Sequence, residues 1–182
     1  MASLKNSKIL VCDDDETLCY LLKEQLIEEG PEVDIVYDGK FAIDAIKRTN
    51  YDVLLLDLNM REISGEEVLK FVKDYNASLQ VIILSAQGEM RKAIDCIKSG
   101  AYDFITKPFD IPQLLVSIER ALEKRSLERK AKSYQEETVQ NLDRDGRPQH
   151  LADRGHLARE RRAALDGDDV GPLDVLRVAR ED

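Results

Sequence analysis

Short, wholly apolar runs alternate along the chain with longer stretches whose apolar residues recur every three or four positions. The runs are Lys8-Ile9-Leu10-Val11-Cys12, then Val33, Ile35 and Val36, then Val53-Leu54-Leu55-Leu56, then Val81-Ile82-Ile83-Leu84, and finally Tyr102-Asp103-Phe104-Ile105-Thr106. Runs this short and this apolar predict strands buried on both faces, as in a parallel sheet. Between them, helical spacing predicts amphipathic helices. Leu18, Leu21, Leu22, Leu26 and Ile27 are expected on one face of the first, and Phe41, Ala42, Ala45 and Ile46 are expected inward on the second. Val68, Leu69 and Val72 mark the third, residues 90–97 supply the fourth, and a fifth begins near Ile111. Gly30-Pro31 is expected to stop the first helix, Gly39 to open the second, Gly65 to lead into the third and Gly100 to end the fourth.

Strand and helix alternating with short connections predict an α/β fold. The sheet is parallel, the crossovers are right-handed and helices cover both faces. In such a sheet every strand ends on the same edge, where open α/β proteins place their ligand sites. Strand 1 runs into Asp13 and Asp14, strand 3 into Asp57, strand 4 into Ser85 and strand 5 into Lys107. Each has a plain structural reading. Asp57 opens a turn or caps a helix, Ser85 is a turn residue, Lys107 is a strand-end lysine, and Asp14 or Asp15 caps helix 1, with Asp15 preferred. If strands 1 and 3 are neighbours, however, the carboxylates of Asp13, Asp14 and Asp57 meet in one crevice. Clustered carboxylates repel one another, and a hard divalent cation such as Mg²⁺ relieves the repulsion with oxygen ligands. A cation and the Lys107 ammonium would stabilise charge developing on a phosphoryl group that arrives at Asp57, and the Ser85 hydroxyl can donate to it. The set suits phosphoryl transfer onto a carboxylate.

Composition narrows the partners. Of 182 residues, 35% are charged and the net charge is −9. An acidic chain lacks the basic footprint of nucleic-acid binding and is repelled by anionic membrane surfaces. Cys12, Cys19 and Cys96 form no C-x-x-C pair, which predicts reduced, packed thiols. No apolar signal segment or membrane-length stretch is present, so a cytoplasmic protein is expected.

The last third reads differently. Helix 5 is expected to continue past Arg120, with Leu127, Ala131, Tyr134, Thr138 and Leu142 in a weak heptad that is too short and too polar for a strong coiled coil, although the extension is where a homodimer would form. No lysine follows Lys132 and no isoleucine follows Ile118. The expected divisions are a domain over residues 5–125, a helical extension over 126–142, and a tail over 143–182. The tail reads as disordered, a linker or the remnant of a longer output domain. His150 and His156 lie in it and are expected to be solvated and not metal-bound.

Taken together and in order, these motifs resemble the receiver domain of two-component response regulators over roughly residues 5–125. Asp13-Asp14 is similar to its acidic pair, Asp57 to its phospho-acceptor, and Gly65 to the glycine after the acceptor loop. Ser85-Ala86 is similar to its hydroxyl/small pair and Lys107-Pro108 to its lysine and usually cis proline. The resemblance implies a flavodoxin-like, doubly wound (βα)5 three-layer sandwich with strand order 2-1-3-4-5. It implies Mg²⁺ held by Asp14, Asp57 and the Asn59 backbone carbonyl, with Asp13 acting largely through water. It implies a sensor histidine kinase or phosphotransfer protein as donor, and Ser85 and Phe104 as switch residues that alter the surface of helix 4, strand 5 and helix 5. Arg61 stands where the family usually has proline, and Cys12 where a branched aliphatic is more usual; neither removes a chemical group from the site.

Two rival readings are weighed. Asp13-Asp14-Asp15-Glu16-Thr17-Leu18 also fits D-x-D-x-T-L, the nucleophile motif of haloacid-dehalogenase-type phosphatases, with Asp13 as nucleophile and Asp15 as acid/base. That reading leaves Asp57-Leu58-Asn59-Met60 without a role. A DNA-binding transcriptional regulator would need a basic output segment, and residues 134–182 carry no lysine and no clear helix-turn-helix pattern.

Overall fold

The computed structural model describes residues 4–145, with side chains through residue 135. After a short 3₁₀ turn (Leu4–Asn6) come β1 (Lys8–Cys12), α1 (Glu16–Glu28), β2 (Glu32–Val36), α2 (Gly39–Arg48), β3 (Val53–Asp57) and α3 (Gly65–Tyr75). They are followed by β4 (Gln80–Ser85), α4 (Met90–Lys98), β5 (Asp103–Thr106) and α5 (Ile111–Asp145). The strands form one parallel sheet in the order β2-β1-β3-β4-β5, as expected. Strands 1 and 3 are therefore neighbours, which the convergence of the carboxylates requires. The tail expected over 143–182 falls, from residue 146 onward, outside the described residues, as do His150 and His156; the side chains of Thr138 and Leu142 are likewise not described.

Alternation within each strand explains why the runs are apolar throughout. Ile9, Val11, Val53, Leu55, Ile82, Leu84 and Ile105 pack on one face against Cys19, Leu22 and Leu26 of α1 and Leu114, Ile118, Ala121 and Leu122 of α5. Leu10, Cys12, Leu54, Leu56, Val81 and Ile83 pack on the other against Ala42 and Ile46 of α2, Val68, Leu69 and Val72 of α3, and Cys96 of α4. A period of two sends neighbouring residues to opposite faces, and both faces are covered. The three cysteines are free and buried; burial pushes the Cys19 thiol up to about 12 and raises those of Cys12 and Cys96.

Three inward assignments are corrected. Leu21 is 57% exposed, Ile27 is 44% exposed, and Phe41 is 61% exposed. In α1 the buried stripe runs through Cys19, Leu22 and Leu26, at steps of three and four, so Leu21 and Ile27 fall to its flanks. In α2 the stripe is Gly39, Ala42 and Ile46, which leaves Phe41 outside it. Strand 5 begins at Asp103, one residue after the expected Tyr102. Leu127 and Tyr134 of the weak heptad lie on the surface.

One buried charge holds α5 to the amino edge of the sheet. Arg125 is 2% exposed. Its Nη1 donates to the carbonyls of Asp52 and Ser78, each at 3.3 Å, and its Nη2 donates to Asn50 Oδ1 at 3.1 Å. Its Nε lies 3.0 Å from Asp52 Oδ1 without the alignment of a hydrogen bond. Asp52 Oδ2 in turn accepts the Lys8 N–H at 2.8 Å, and Gln80 Nε2 donates to Glu128 Oε2 at 3.0 Å. Removing a buried guanidinium strands the acceptors it satisfied and leaves Asp52 with only the exposed Arg129 as a charged partner, at 3.7 Å. Arg125→Ala is expected to lower stability by about 3 kcal/mol, read as a fall in the urea midpoint; an unchanged midpoint would show that the clamp carries no net stability.

Candidate functional site

Pairing across the sheet sets the height of every site residue. Cys12 pairs with Val36 and with Leu56, so Asp13 follows at the carboxyl edge, where its N–H donates to the Val36 carbonyl at 3.3 Å. Asp57 is the last residue of β3 and pairs with Leu84, one residue before Ser85. Ser85 pairs with Thr106, and the next N–H, that of Lys107, donates back to the Ser85 carbonyl at 2.7 Å. The Lys107-Pro108 peptide is cis.

The acceptor loop is held down from α3. Ser64 and Glu67 form a capping box at its start: the Ser64 Oγ accepts the Glu67 N–H, and the Glu67 carboxylate accepts the Ser64 N–H at 2.9 Å. Gly65 follows, and its N–H donates to the Leu58 carbonyl at 3.2 Å. A Cβ at this position would collide with the Asp57 carbonyl oxygen and lie 2.8 Å from the Leu58 Cα. Glycine here is a matter of space, because backbone meets backbone.

At the centre, Lys107 Nζ donates to Asp13 Oδ2 and to Asp57 Oδ1, both at 2.6 Å. The second oxygens are also engaged: Asp13 Oδ1 accepts the Asp15 N–H at 3.0 Å, and Asp57 Oδ2 accepts the Asn59 N–H at 2.6 Å. Asp13, Asp57 and Ser85 are buried, Lys107 is partly buried, and Asp14 and Asn59 are exposed at the mouth. Burial pushes the Asp13 carboxyl above its ordinary value, against the lowering pull of Lys107 and of the Asp15 N–H. Burial also pulls the Lys107 ammonium down, but its hydrogen bonds to Asp13 and Asp57 outweigh this and hold it above the usual lysine value. Asp15 turns away to cap α1, accepting the Thr17 and Leu18 N–H groups, as expected of it.

Carboxylate oxygens of Asp13, Asp14 and Asp57 lie within 4.8 Å of one another. Three carboxylates face one ammonium, and the donors are all hard oxygens. That set fits a small divalent cation of the Mg²⁺ type, which takes oxygen ligands and keeps several of its waters. Phe104, half-buried, packs on the α2/α3/α4 side of the sheet. The sequence gives no warning of Glu89 and Lys92, which flank Asn59: Lys92 Nζ lies 3.4 Å from Asn59 Oδ1 and 3.1 Å from Glu89 Oε1. The capping box, by contrast, is legible as S-x-x-E at Ser64 and Glu67.

A doubly wound parallel sheet with a lysine-bridged carboxylate cluster at its carboxyl edge defines an α/β protein of the receiver class. The chain belongs to the family described as response regulator receiver domain, whose sequence model matches residues 9–119. It is 35% identical over 114 residues to the transcriptional regulatory protein ZraR of Klebsiella oxytoca, covering 63% of this chain and 26% of that protein. It is 34% identical over 116 residues to the response regulator ArlR of Staphylococcus saprophyticus, covering 64% of this chain and 52% of that protein. The chain thus spans between a quarter and a half of the length of these curated relatives. Among solved structures, the receiver domain of the Francisella response regulator 1452 superposes with a TM-score of 0.62 at 35% identity, over 65% of this chain and 98% of that one. Among the described residues, no helix is long and apolar enough to cross a membrane.

Because α3 meets β3 backbone to backbone, Gly65→Ala is expected to cost about 1–3 kcal/mol through overpacking. Urea unfolding reads this directly, and amide shifts confined to residues 57–66 would place the strain in the acceptor loop. Wild-type stability and unmoved shifts would contradict the close approach.

Proposed function

We propose that this chain is the phospho-accepting receiver of a two-component phosphorelay, and that Asp57 is the acceptor. The observation that carries the reading is the shared lysine: one ammonium at 2.6 Å from both Asp13 and Asp57, beside a third carboxylate. A phosphohistidine on a sensor histidine kinase or a phosphotransfer protein gives up its phosphoryl group. The P–N bond breaks as a bond forms from an Asp57 carboxylate oxygen to phosphorus. Asp57 is held ready by the Asn59 N–H, and the Lys107 ammonium neutralises charge on the incoming group. Ser85, one residue past the β3–β4 pair Asp57 and Leu84, supplies a hydroxyl donor to a phosphoryl oxygen.

Mg²⁺ is assigned to Asp14, Asp57 and the Asn59 backbone carbonyl, with Asp13 acting largely through water; when bound, it neutralises charge on the phosphoryl oxygens. Such domains are generally not classed as enzymes, although this one assists its own phosphorylation and dephosphorylation. Phosphorylation then shifts a two-state equilibrium in which Ser85 and Phe104 move and the surface of α4, β5 and α5 changes. Output passes through α5 and its extension, by homodimerisation, in the cytoplasm. DNA and membranes are not partners in this reading. The relatives whose names mark them as transcriptional regulators are much longer proteins, and this chain matches about a quarter of their length.

Incubation with acetyl phosphate and Mg²⁺ is expected to add one phosphoryl group to the wild type and to Asp13→Asn, more slowly in the latter, and none to Asp57→Asn. Intact mass measurement reads the adduct. Loss of the adduct in Asp13→Asn with its persistence in Asp57→Asn would instead make Asp13 the nucleophile of a phosphatase. Beryllofluoride with Mg²⁺ is expected to change hydrogen exchange within residues 88–140 and to raise self-association in sedimentation. Unchanged profiles in both would reject the proposed output route.

A further inference from the structure

Helix α4 begins without a side-chain cap. Glu89 occupies the cap position, yet its carboxylate bonds to no N–H of the helix. An anion at a helix start is normally drawn to the free N–H groups there. Here the side chain turns back instead. Glu89 Oε2 accepts the Ala86 N–H at 3.2 Å, and Oε1 pairs with Lys92 Nζ at 3.1 Å. Lys92 in turn reaches Asn59 Oδ1 at 3.4 Å. The Glu89 side chain is only 16% exposed. A firmly held anion thus stands on the α4 side of the site, joined to Asp57 through Asn59, whose N–H bonds Asp57 Oδ2 at 2.6 Å.

The two donors it occupies lie at the end of β4 and against the side chain of Asn59 in the acceptor loop. Ala86 follows Ser85 at the carboxyl edge, two residues past the Leu84 that pairs with Asp57. Its N–H and the Lys92 ammonium are the donors on this flank, as Lys107 is on the other. We propose that Glu89 is a positioning residue that competes with the phosphoryl group: it holds Ala86 N–H and Lys92 while Asp57 is free, and must surrender them when Asp57 is modified. The inference rests on Asp57 being the acceptor. It gives the site an internal anion that raises the cost of occupancy through competition for donors and through like-charge repulsion. A displaced Glu89 carboxylate has an evident destination in the uncapped N–H groups at the start of α4, so occupancy of Asp57 is coupled to the end of that helix.

The test is a titration of the full chain with beryllofluoride at fixed Mg²⁺, followed by ¹⁹F NMR. Glu89→Gln keeps the shape and removes the charge, and is expected to bind about five- to tenfold more tightly than wild type. Glu89→Ser supplies a good helix cap without a carboxylate, and is expected to do the same even if the glutamine variant folds poorly. Lys92→Met is expected to bind several-fold more weakly. Amide exchange at Ala86 should be faster in ligand-free Glu89→Gln than in wild type, and equal in the two once beryllofluoride is bound, a pattern that a merely structural Glu89 would not produce. Wild-type or weaker affinity in both Glu89 variants would overturn the proposal while leaving Asp57 as acceptor. Undiminished beryllofluoride binding by Asp57→Asn would overturn the acceptor reading, and the role of Glu89 with it.

Discussion

Everything at the carboxyl edge of this sheet depends on one ammonium shared by two carboxylates. Lys107 lies far along the chain from both Asp13 and Asp57, yet holds each at 2.6 Å. The attraction is worth having because the pair is shielded: Asp13 and Asp57 are buried, and opposite charges interact more strongly out of water. It also sets a limit. With Asp14 at the mouth, three carboxylates surround a single positive charge, so the site keeps an excess of negative charge. That excess explains why the cluster fits a divalent cation, and why an anionic group on Asp57 would need further donors. The pull of burial on Asp13, upward, and of its partners, downward, shows the same tension in a single residue.

Such a cluster can be assembled only if the backbone delivers its members to one height. Parallel pairing does this for β1, β3, β4 and β5, and the two-sided core locks their register, since a slip of one residue would turn every buried side chain to the wrong face. Gly65 adds the local condition that α3 may approach the end of β3 closely. Core and site are therefore the same problem: the apolar runs fix the strands, and the strands fix the charges.

Much of this was legible in the chain itself. The runs named the strands, and their terminal Asp13, Asp57, Ser85 and Lys107 named the edge, because period and punctuation are local properties. What escaped was decided by three-dimensional surroundings. Leu21, Ile27 and Phe41 are apolar residues at near-helical spacing, but a helix on a sheet buries a narrow stripe, and their flanking positions lie outside it. Arg125 looks like any solvated arginine of a charged helix; only the convergence of the Asp52 and Ser78 carbonyls and the Asn50 side chain makes it a core residue. Glu89 and Lys92 read as a surface pair three apart, and their meeting with Asn59 depends on how the β4–α4 loop folds back over the acceptor loop. Ser64-x-x-Glu67 was available to be read as a cap and marks where the acceptor loop ends.

The same logic makes α5 a connection between opposite edges. It starts four residues after Lys107, at the carboxyl edge, and by Arg125 it has reached the amino edge, where Asn50, Asp52 and Ser78 grip it. The fourteen residue steps from Ile111 to Arg125 span about 21 Å at the rise of an α-helix. Between those ends Leu114, Ile118, Ala121 and Leu122 pack on the sheet without fixed direction, and the Ser117 hydroxyl adds one directional tie, donating to Asp103 Oδ2 of β5 at 2.6 Å. At Arg125 the grip is directional, through donors with defined acceptors, and a shift there leaves buried polar groups unpaired.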